Sequence, residues 1–247
     1  MCIYMNLIVT LLAGGLGKRM KSDIPKVLHL FKGKPMLVHI IEQSLLLNPS
    51  KIIIVTGKYD KLIQDTLKKY IDESLFNQLK YVVQTTPLGT GHAIKCCLDH
   101  YSTTDNVLIL NGDTPKINQY LLEKFIHSSS DNSLLTCILK NPHGYGRIIT
   151  HNNNEILKIV EEKDATEEEK GVRLVNSGIY KIKGDDLKKY IPLIQNNNKQ
   201  SEYYLTTLVE LLIESNKKIN SYIIPESENA LILGVTTKEQ LEDLEKM

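Results

Sequence analysis

Three glycines followed by two cations, in the run LAGGLGKRM from Leu12 to Met20, form the densest piece of chemistry in the sequence. Gly14, Gly15 and Gly17 let the backbone approach a ligand closely and turn its N–H groups toward it. Lys18 and Arg19 leave the loop, and Lys26 follows Pro25, whose ring fixes one backbone dihedral and restricts its predecessor, so Lys26 is aimed at one point. A polyphosphate suits this set, because a guanidinium forks onto phosphate oxygens while an ammonium acts as a point charge. At an effective dielectric near 20, a unit-charge contact at 4 Å is worth ~4 kcal/mol before desolvation. The plain alternative is a turn with solvated cations. A dinucleotide fingerprint needs glycine where Met20 stands, and a P-loop needs glycine at Leu12 and Ser or Thr at Arg19, so neither template fits.

Asp113 follows the apolar run NVLIL in NGDTP. Its carboxylate is either a turn residue before Pro115 or a ligand for Mg²⁺, which takes one or two carboxylates together with phosphates and water. Glu161 ends the apolar run LKIV and either joins a solvated acidic face or points inward. The histidines make no zinc site. His92 and His100 could share a helix face but would sit roughly 12 Å apart, with no Cys or carboxylate to complete a tetrahedron, and the remaining, scattered histidines read as ordinary. No G-x-S-x-G elbow is present, which argues against an α/β-hydrolase.

The elements that must position these residues follow from periodicity. LIVTLL (Leu7 to Leu12), KIIIV, LKYVV and NVLIL are continuous apolar runs, and helix-length segments separate them: PMLVHIIEQSLLL, Lys58 to about Tyr70, and about Gly89 to Tyr101. Apolar strands alternating with helices predict a doubly wound, mostly parallel α/β sheet of Rossmann-like type, with ligands at the carboxyl ends of the strands. After Pro142 the pieces shorten, with a hairpin-like tip at Asn152 to Asn154, and predict a smaller antiparallel β region layered onto the first. A helical segment from Tyr203 to Glu214, a strand around Tyr222 to Ile224 and a closing helix after Thr236 complete the chain. At 247 residues the chain reads as a single domain, with parts at about 5–140, 141–235 and 236–247. The tracts Asn152 to Asn154 and Asn196 to Asn198 read as solvated loops.

Thirty basic and 29 acidic residues give a net charge of +1, so nothing global favours nucleic acid or an anionic membrane. No apolar run reaches the ~20 residues of a membrane span, and the N-terminus is a poor signal peptide. Cys2, Cys96, Cys97 and Cys137 show no CxxC spacing, read as buried fillers and point to a reducing, cytoplasmic setting.

In order, LAGGLGKRM with DIPK, then QTTPLGTGHA, NGDTP, GYGRI, IVEEKDA, VNSGIY and SEYYLT resemble the nucleotide-sugar pyrophosphorylases, over nearly the whole chain. Most closely they resemble the uridylyltransferase half of the bacterial bifunctional enzyme that makes UDP-N-acetylglucosamine. The resemblance implies the nucleotide-diphospho-sugar transferase fold and transfer of UMP from UTP to N-acetylglucosamine 1-phosphate, with Mg²⁺ as cofactor. It further implies that Arg19, Lys26 and Asp113 are catalytic. Leu12, Ala13, Gly14, Gly15, Gln84, Gly89 and Thr90 would hold the nucleotide, with Gln84 reading the uracil edge through both ends of its amide. Gly146, Glu161, Asn176, Tyr204 and Thr206 would hold the sugar, and Asp113 and Thr236 the metal.

Three departures stand out. The family loop usually has Thr or Ser where Lys18 stands, a Tyr where Asn111 stands, and Asn or Asp where Thr236 stands, which supplies a weaker, neutral metal ligand. The bacterial enzyme continues into an acetyltransferase, whereas this sequence stops after LEDLEKM, so a single activity is expected and the resemblance gives no inherited reason to trimerise. The alternatives are a sibling activity on glucose 1-phosphate or dTTP and a non-catalytic nucleotide-sugar-binding protein.

Overall fold

The computed structural model describes residues 6–15, 17–128, 131–151 and 155–247. The first half alternates strands and helices: β1 (Leu7–Leu12), the small hairpin β2 (Leu30–Phe31) and β3 (Lys34–Pro35), α1 (Met36–Leu45), β4 (Lys51–Thr56), α2 (Asp60–Leu67), β5 (Leu79–Val83), α3 (Thr90–Lys95), β6 (Asn106–Asn111), α4 (Gln119–His127) and β7 (Ser133–Ile138). There follow β8 (Arg147–Thr150), β9 (Ile156–Val160), α5 (Glu167–Lys170), β10 (Leu174–Lys183), α6 (Gly184–Tyr190), α7 (Thr207–Glu214), β11 (Asn220–Ile223) and α8 (Lys238–Lys246). Among the described residues nine strands share one sheet, in the order β11-β7-β10-β6-β1-β4-β5, with β8 attached at β10 and β9 at β8.

The expected parallel core is present: β1 pairs in parallel with β4 and β6, and β4 with β5. Its strands are apolar throughout because both faces are covered. Leu7, Val9 and Leu11 of β1 join Ile52 and Ile54 of β4 and Leu108 and Leu110 of β6 on the face packed by α1 and α4. Ile8, Ile53, Val55, Val107 and Ile109 fill the opposite face beneath α3, α6 and α7. Each fully buried aliphatic side chain contributes ~1.5–3 kcal/mol relative to exposure.

The antiparallel region is present but is not simply layered onto the first half. β10 inserts between β6 and β7 and runs antiparallel to both, while its first residues reach β8. The two parts therefore share one sheet, and β10 carries chain from the core out to the β8–β9 arm. The tip expected at Asn152 to Asn154 lies outside the described residues.

Two expected helices are shorter than predicted. The segment from Gly89 ends as α3 at Lys95 and resumes as a single 3₁₀ turn at Leu98–His100, so His92 and His100 share no continuous helix. The segment from Tyr203 becomes helical only at Thr207, because the backbone of Tyr203 bonds Leu88 O (2.8 Å) and Gly91 N (2.7 Å) instead of starting a helix. The Asn196 to Asn198 tract is also more than a solvated loop: Asn198 Oδ1 accepts from the amides of Gln200 and Glu202, closing the turn before Tyr204. Cys97 and Cys137 are buried, and burial pushes both thiols up to about 12. Cys96 is half-exposed, against expectation, and Cys2 lies outside the described residues. Among the described residues, no helix is long and apolar enough to cross a membrane.

Candidate active site

The sheet register brings the carboxyl ends of four strands to one rim. Leu12 is level with Val55 on one side and with Asn111 on the other. One step further, Ala13 N bonds Val55 O (2.9 Å), Gln84 N bonds Thr56 O (2.9 Å) and Gly112 N bonds Leu12 O (3.0 Å). The loops that leave this rim enclose a cavity of about 550 Å³. Leu12, Gly14, Gly15, Gln84, Gly89 and Thr90 line it with Arg19, Lys26 and Asp113. Ala13 sits behind this wall, 2% exposed, because its amide extends the sheet.

The glycine loop is shaped against Lys26. Gly17 has φ +58°, and a Cβ there would stand 2.7 Å from Lys26 Cβ, so a side chain is excluded by both conformation and space. Pro25 leads into the 3₁₀ turn Lys26–Leu28, and Lys26 Nζ reaches across the cavity to ion-pair with Asp113 Oδ2. Asp113 is fixed in turn through its carbonyl, which accepts from Val235 N (2.9 Å). Arg19 lies at the exposed mouth.

Gln84 is 6% exposed at the opposite end. Its Nε2 donates to Gly89 O (3.0 Å) and to His92 Nδ1 (3.0 Å). Both amide hydrogens are therefore engaged, and Oε1, near Gly14, is the end left to meet a ligand. That corrects the expectation of two-ended reading: from this orientation Gln84 can only accept. Gly89 has φ +108°, with Tyr203 O 2.6 Å from where a Cβ would stand. The Thr90 hydroxyl accepts from Leu205 N (3.0 Å), so the LGTG loop clamps the segment before α7 as well as facing the cavity.

A second cavity of about 270 Å³ opens alongside, lined by Gly146, Glu161 and Asn176 together with Thr236, Gly234 and Gln240. Arg19, Asn111 and Asp113 line both cavities and mark where their contents would meet. The loop bearing Gly146 is held by Arg147, which is 2% exposed and ion-paired with Glu162 (2.7 Å), so this motif arginine is a buried strut. Asn176 is locked by bonds from Nδ2 to Tyr180 Oη (2.6 Å) and from Gly178 N to Oδ1 (3.0 Å). Tyr204 and Thr206 do not line this cavity. They line a neighbouring one of about 350 Å³, which meets it at Glu161. The Thr206 hydroxyl donates to Glu161 Oε1 (3.0 Å), and the Tyr204 hydroxyl accepts from Gln200 Nε2 (2.8 Å).

The profile of the MobA-like NTP transferase domain matches residues 9–177, a stretch that holds the glycine loop, Lys26, Gln84, Asp113 and Glu161. The chain belongs to this nucleotidyltransferase family. It is 44% identical over 249 residues to a protein of Acanthamoeba polyphaga mimivirus named "Probable UDP-N-acetylglucosamine pyrophosphorylase", covering 98% of this chain and 96% of that one. It is 40% identical over 246 residues to the bifunctional protein GlmU of Thermoanaerobacter pseudethanolicus. That match covers 98% of this chain but 51% of the bacterial protein, so the chain spans half its length. HddC from Yersinia pseudotuberculosis has the same fold, with a TM-score of 0.67 over 97% of this chain and 98% of that one at 22% identity. The resemblance read from the motifs is borne out.

A divalent cation is the group this nucleotidyltransferase would hold beside phosphates, and the donor set fits one that takes most of its ligands from substrate and water. Among the described residues no group of three His, Cys, Asp or Glu side chains forms a metal cage. Asp113 Oδ1 has no hydrogen-bond partner among the described residues and lies beside Gly234 in the lining of the second cavity. The Thr236 hydroxyl also lines that cavity but donates to Gln240 Oε1, at the start of α8. Asp113 would thus be the anchoring protein ligand, and the Thr236 hydroxyl, whose proton is engaged by Gln240, would keep its oxygen lone pairs for the same cation.

Sequence reasoning passed over three residues. Asn111 bridges the two cavities, with its Nδ2 bonded to Ser177 O (3.1 Å); it had been noted only as a departure from the family. Gln240 carried no signal. His92, weighed in the sequence only as a zinc ligand, is bonded to Gln84, a contact between loop and helix that only the fold creates. The side chain of Lys18 lies outside the described residues.

Glu161 carries a measurable signature. Burial, reinforced by Asp164 and Glu202, raises its carboxyl above the ordinary value, and the Thr206 bond offsets only part of this. A raised value in the folded state means that the stability contribution is complete below the unfolded value and is lost as pH rises through the raised one. Glu161→Gln should therefore melt at a higher temperature than wild type at pH 8, and the gap should close as pH falls toward 4. Melting curves across that range check this; a gap independent of pH would show that the carboxylate is not strained by its site.

Proposed function

We propose that this nucleotidyltransferase transfers UMP from UTP to N-acetylglucosamine 1-phosphate, releasing pyrophosphate, with Mg²⁺ as the cation. The observation that carries the reading is the pair of adjoining cavities sharing Arg19, Asn111 and Asp113. One is large enough for a nucleotide and is rimmed by backbone amides and cations. The other is smaller and polar, and holds a half-buried carboxylate and a buried carboxamide suited to sugar hydroxyls. The name of the mimivirus relative, a probable UDP-N-acetylglucosamine pyrophosphorylase, and the length over which it matches support the same assignment.

The geometry supports the following steps. Gln84 Oε1 accepts the ring N–H of uracil, and Gly14, Gly15 and Gly17 offer their amides to the phosphates. In the second cavity, Glu161 and Asn176 hold the sugar so that its phosphate faces Asp113 and Arg19. A phosphate oxygen of the sugar phosphate forms a bond to the α-phosphorus of UTP. The bond from that phosphorus to the bridging oxygen breaks, and its electron pair leaves with pyrophosphate. Both reactants are anions, so catalysis consists of positioning and charge neutralisation, with no covalent enzyme intermediate. Lys26 reaches the junction, where its ammonium offsets charge as the two phosphates close, and Arg19 at the mouth stabilises the leaving pyrophosphate. Bound Mg²⁺ would add Lewis-acid neutralisation of phosphate charge.

The test is pyrophosphate release across UTP, dTTP, CTP and GTP combined with N-acetylglucosamine 1-phosphate and glucose 1-phosphate, with and without Mg²⁺. The highest kcat/KM is expected for UTP with N-acetylglucosamine 1-phosphate. A maximum at dTTP with glucose 1-phosphate would reassign the substrates, and tight UDP-sugar binding without turnover would make the protein a binder.

A further inference from the structure

We propose that His92 is a positioning residue that fixes the Gln84 carboxamide as a pure acceptor, so that the base site selects a pyrimidine bearing a ring N–H over one bearing a ring acceptor. The proposal rests on the uridylyl-transfer reading and deepens it. Gly89 O can only accept, so the hydrogen bond at 3.0 Å from Gln84 identifies which end of the amide is nitrogen. That nitrogen has one remaining hydrogen, and it points to His92 Nδ1, also at 3.0 Å. His92 Nδ1 must then be the unprotonated ring nitrogen, with the proton on Nε2. Burial and, after it, the neighbouring Lys95 hold the imidazole below its ordinary value, which keeps Nδ1 an acceptor at neutral pH.

The consequence is a matter of counting donors. With both hydrogens engaged, no Nε2–H is left for a base, and flipping the amide would set Oε1 against Gly89 O and, in this tautomer, against His92 Nδ1 as well. Uracil presents N3–H to Oε1, whereas cytosine presents an unprotonated N3 and would leave two acceptors facing each other in a buried site, the costly case of an unmade hydrogen bond. Without His92 one hydrogen is released, and a flip then opposes only Gly89 O. His92 is not among the residues lining the cavity. It sits in the first turn of α3, behind Gln84, with its ring tilted against Tyr203 at a centroid distance of 6.2 Å. Its effect on substrate therefore passes through Gln84.

The experiment compares kcat/KM for UTP and CTP, with N-acetylglucosamine 1-phosphate as acceptor, in wild type, His92→Ala and His92→Asn. The Asn Oδ1 stands close to where His Nδ1 stands and restores the acceptor. In His92→Ala the UTP-to-CTP ratio should fall by about tenfold or more, the factor that roughly one hydrogen bond carries, mainly through a higher KM for UTP. His92→Asn should recover most of the ratio. An unchanged ratio in His92→Ala, or His92→Asn no better than His92→Ala, overturns the assignment. Should His92→Ala not fold, His92→Asn still decides, because a collapsed ratio there contradicts the acceptor role. Wild type releasing no pyrophosphate from UTP with either sugar phosphate would instead overturn the uridylyl reading itself.

Discussion

Asp113→Ala is expected to retain the fold and to lose turnover by about a thousandfold or more, the scale of several kcal/mol of transition-state charge stabilisation. The fold should survive because Asp113 serves the structure chiefly through its carbonyl, which accepts from Val235 N whatever the side chain. The carboxylate is another matter. Oδ2 pairs with Lys26, and Oδ1 faces the cavity without a partner among the described residues. On the proposed mechanism, removing it takes away the ligand that would anchor a divalent cation and leaves the ammonium of Lys26, whose side chain is 18% exposed, without its counter-charge. The residual rate should consequently lose most of its response to Mg²⁺. Steady-state rates across a Mg²⁺ titration, with a melting curve as control, check both parts. Wild-type rates in this variant would remove Asp113 from the mechanism.

Lys26→Ala should lower kcat/KM by about 10²–10³-fold, the cost of deleting one preorganised electrostatic donor. In the protein without substrate its ammonium is held on Asp113, at the junction where both phosphates must arrive, so the charge is positioned before either binds. On the proposed mechanism, binding of the nucleotide would draw that ammonium partly from carboxylate to phosphate, so that the Lys26–Asp113 pair would change partners during the cycle. Lys26→Arg should not restore activity. The loop packs Gly17 directly against Lys26 Cβ, and a planar fork cannot reproduce a point charge in that space. A kcat/KM within twofold of wild type in Lys26→Ala would make the Pro25–Lys26 dipeptide purely structural.

The division between what sequence and tertiary structure determined has a physical basis. The alternation of continuous apolar strands with helices settled the doubly wound sheet, because a strand buried on both faces leaves no other pattern. The glycine loop, Lys26 and Asp113 were legible because backbone approach, fixed cation and carboxylate are each properties of a residue type at a local position. What the sequence could not determine depends on meetings between distant segments. The shortened start of α7 follows from bonds between Tyr203 and the LGTG loop. The insertion of β10 between β6 and β7 follows from register across the whole sheet. The direction of the Gln84 amide was set by Gly89 and His92 together. Tyr204 and Thr206 stand one cavity away from Asn176 because Glu161 forms the wall between them. Composition and spacing select which groups a chain offers, while hydrogen bonds made across the fold decide which lone pairs and protons remain free to meet a substrate.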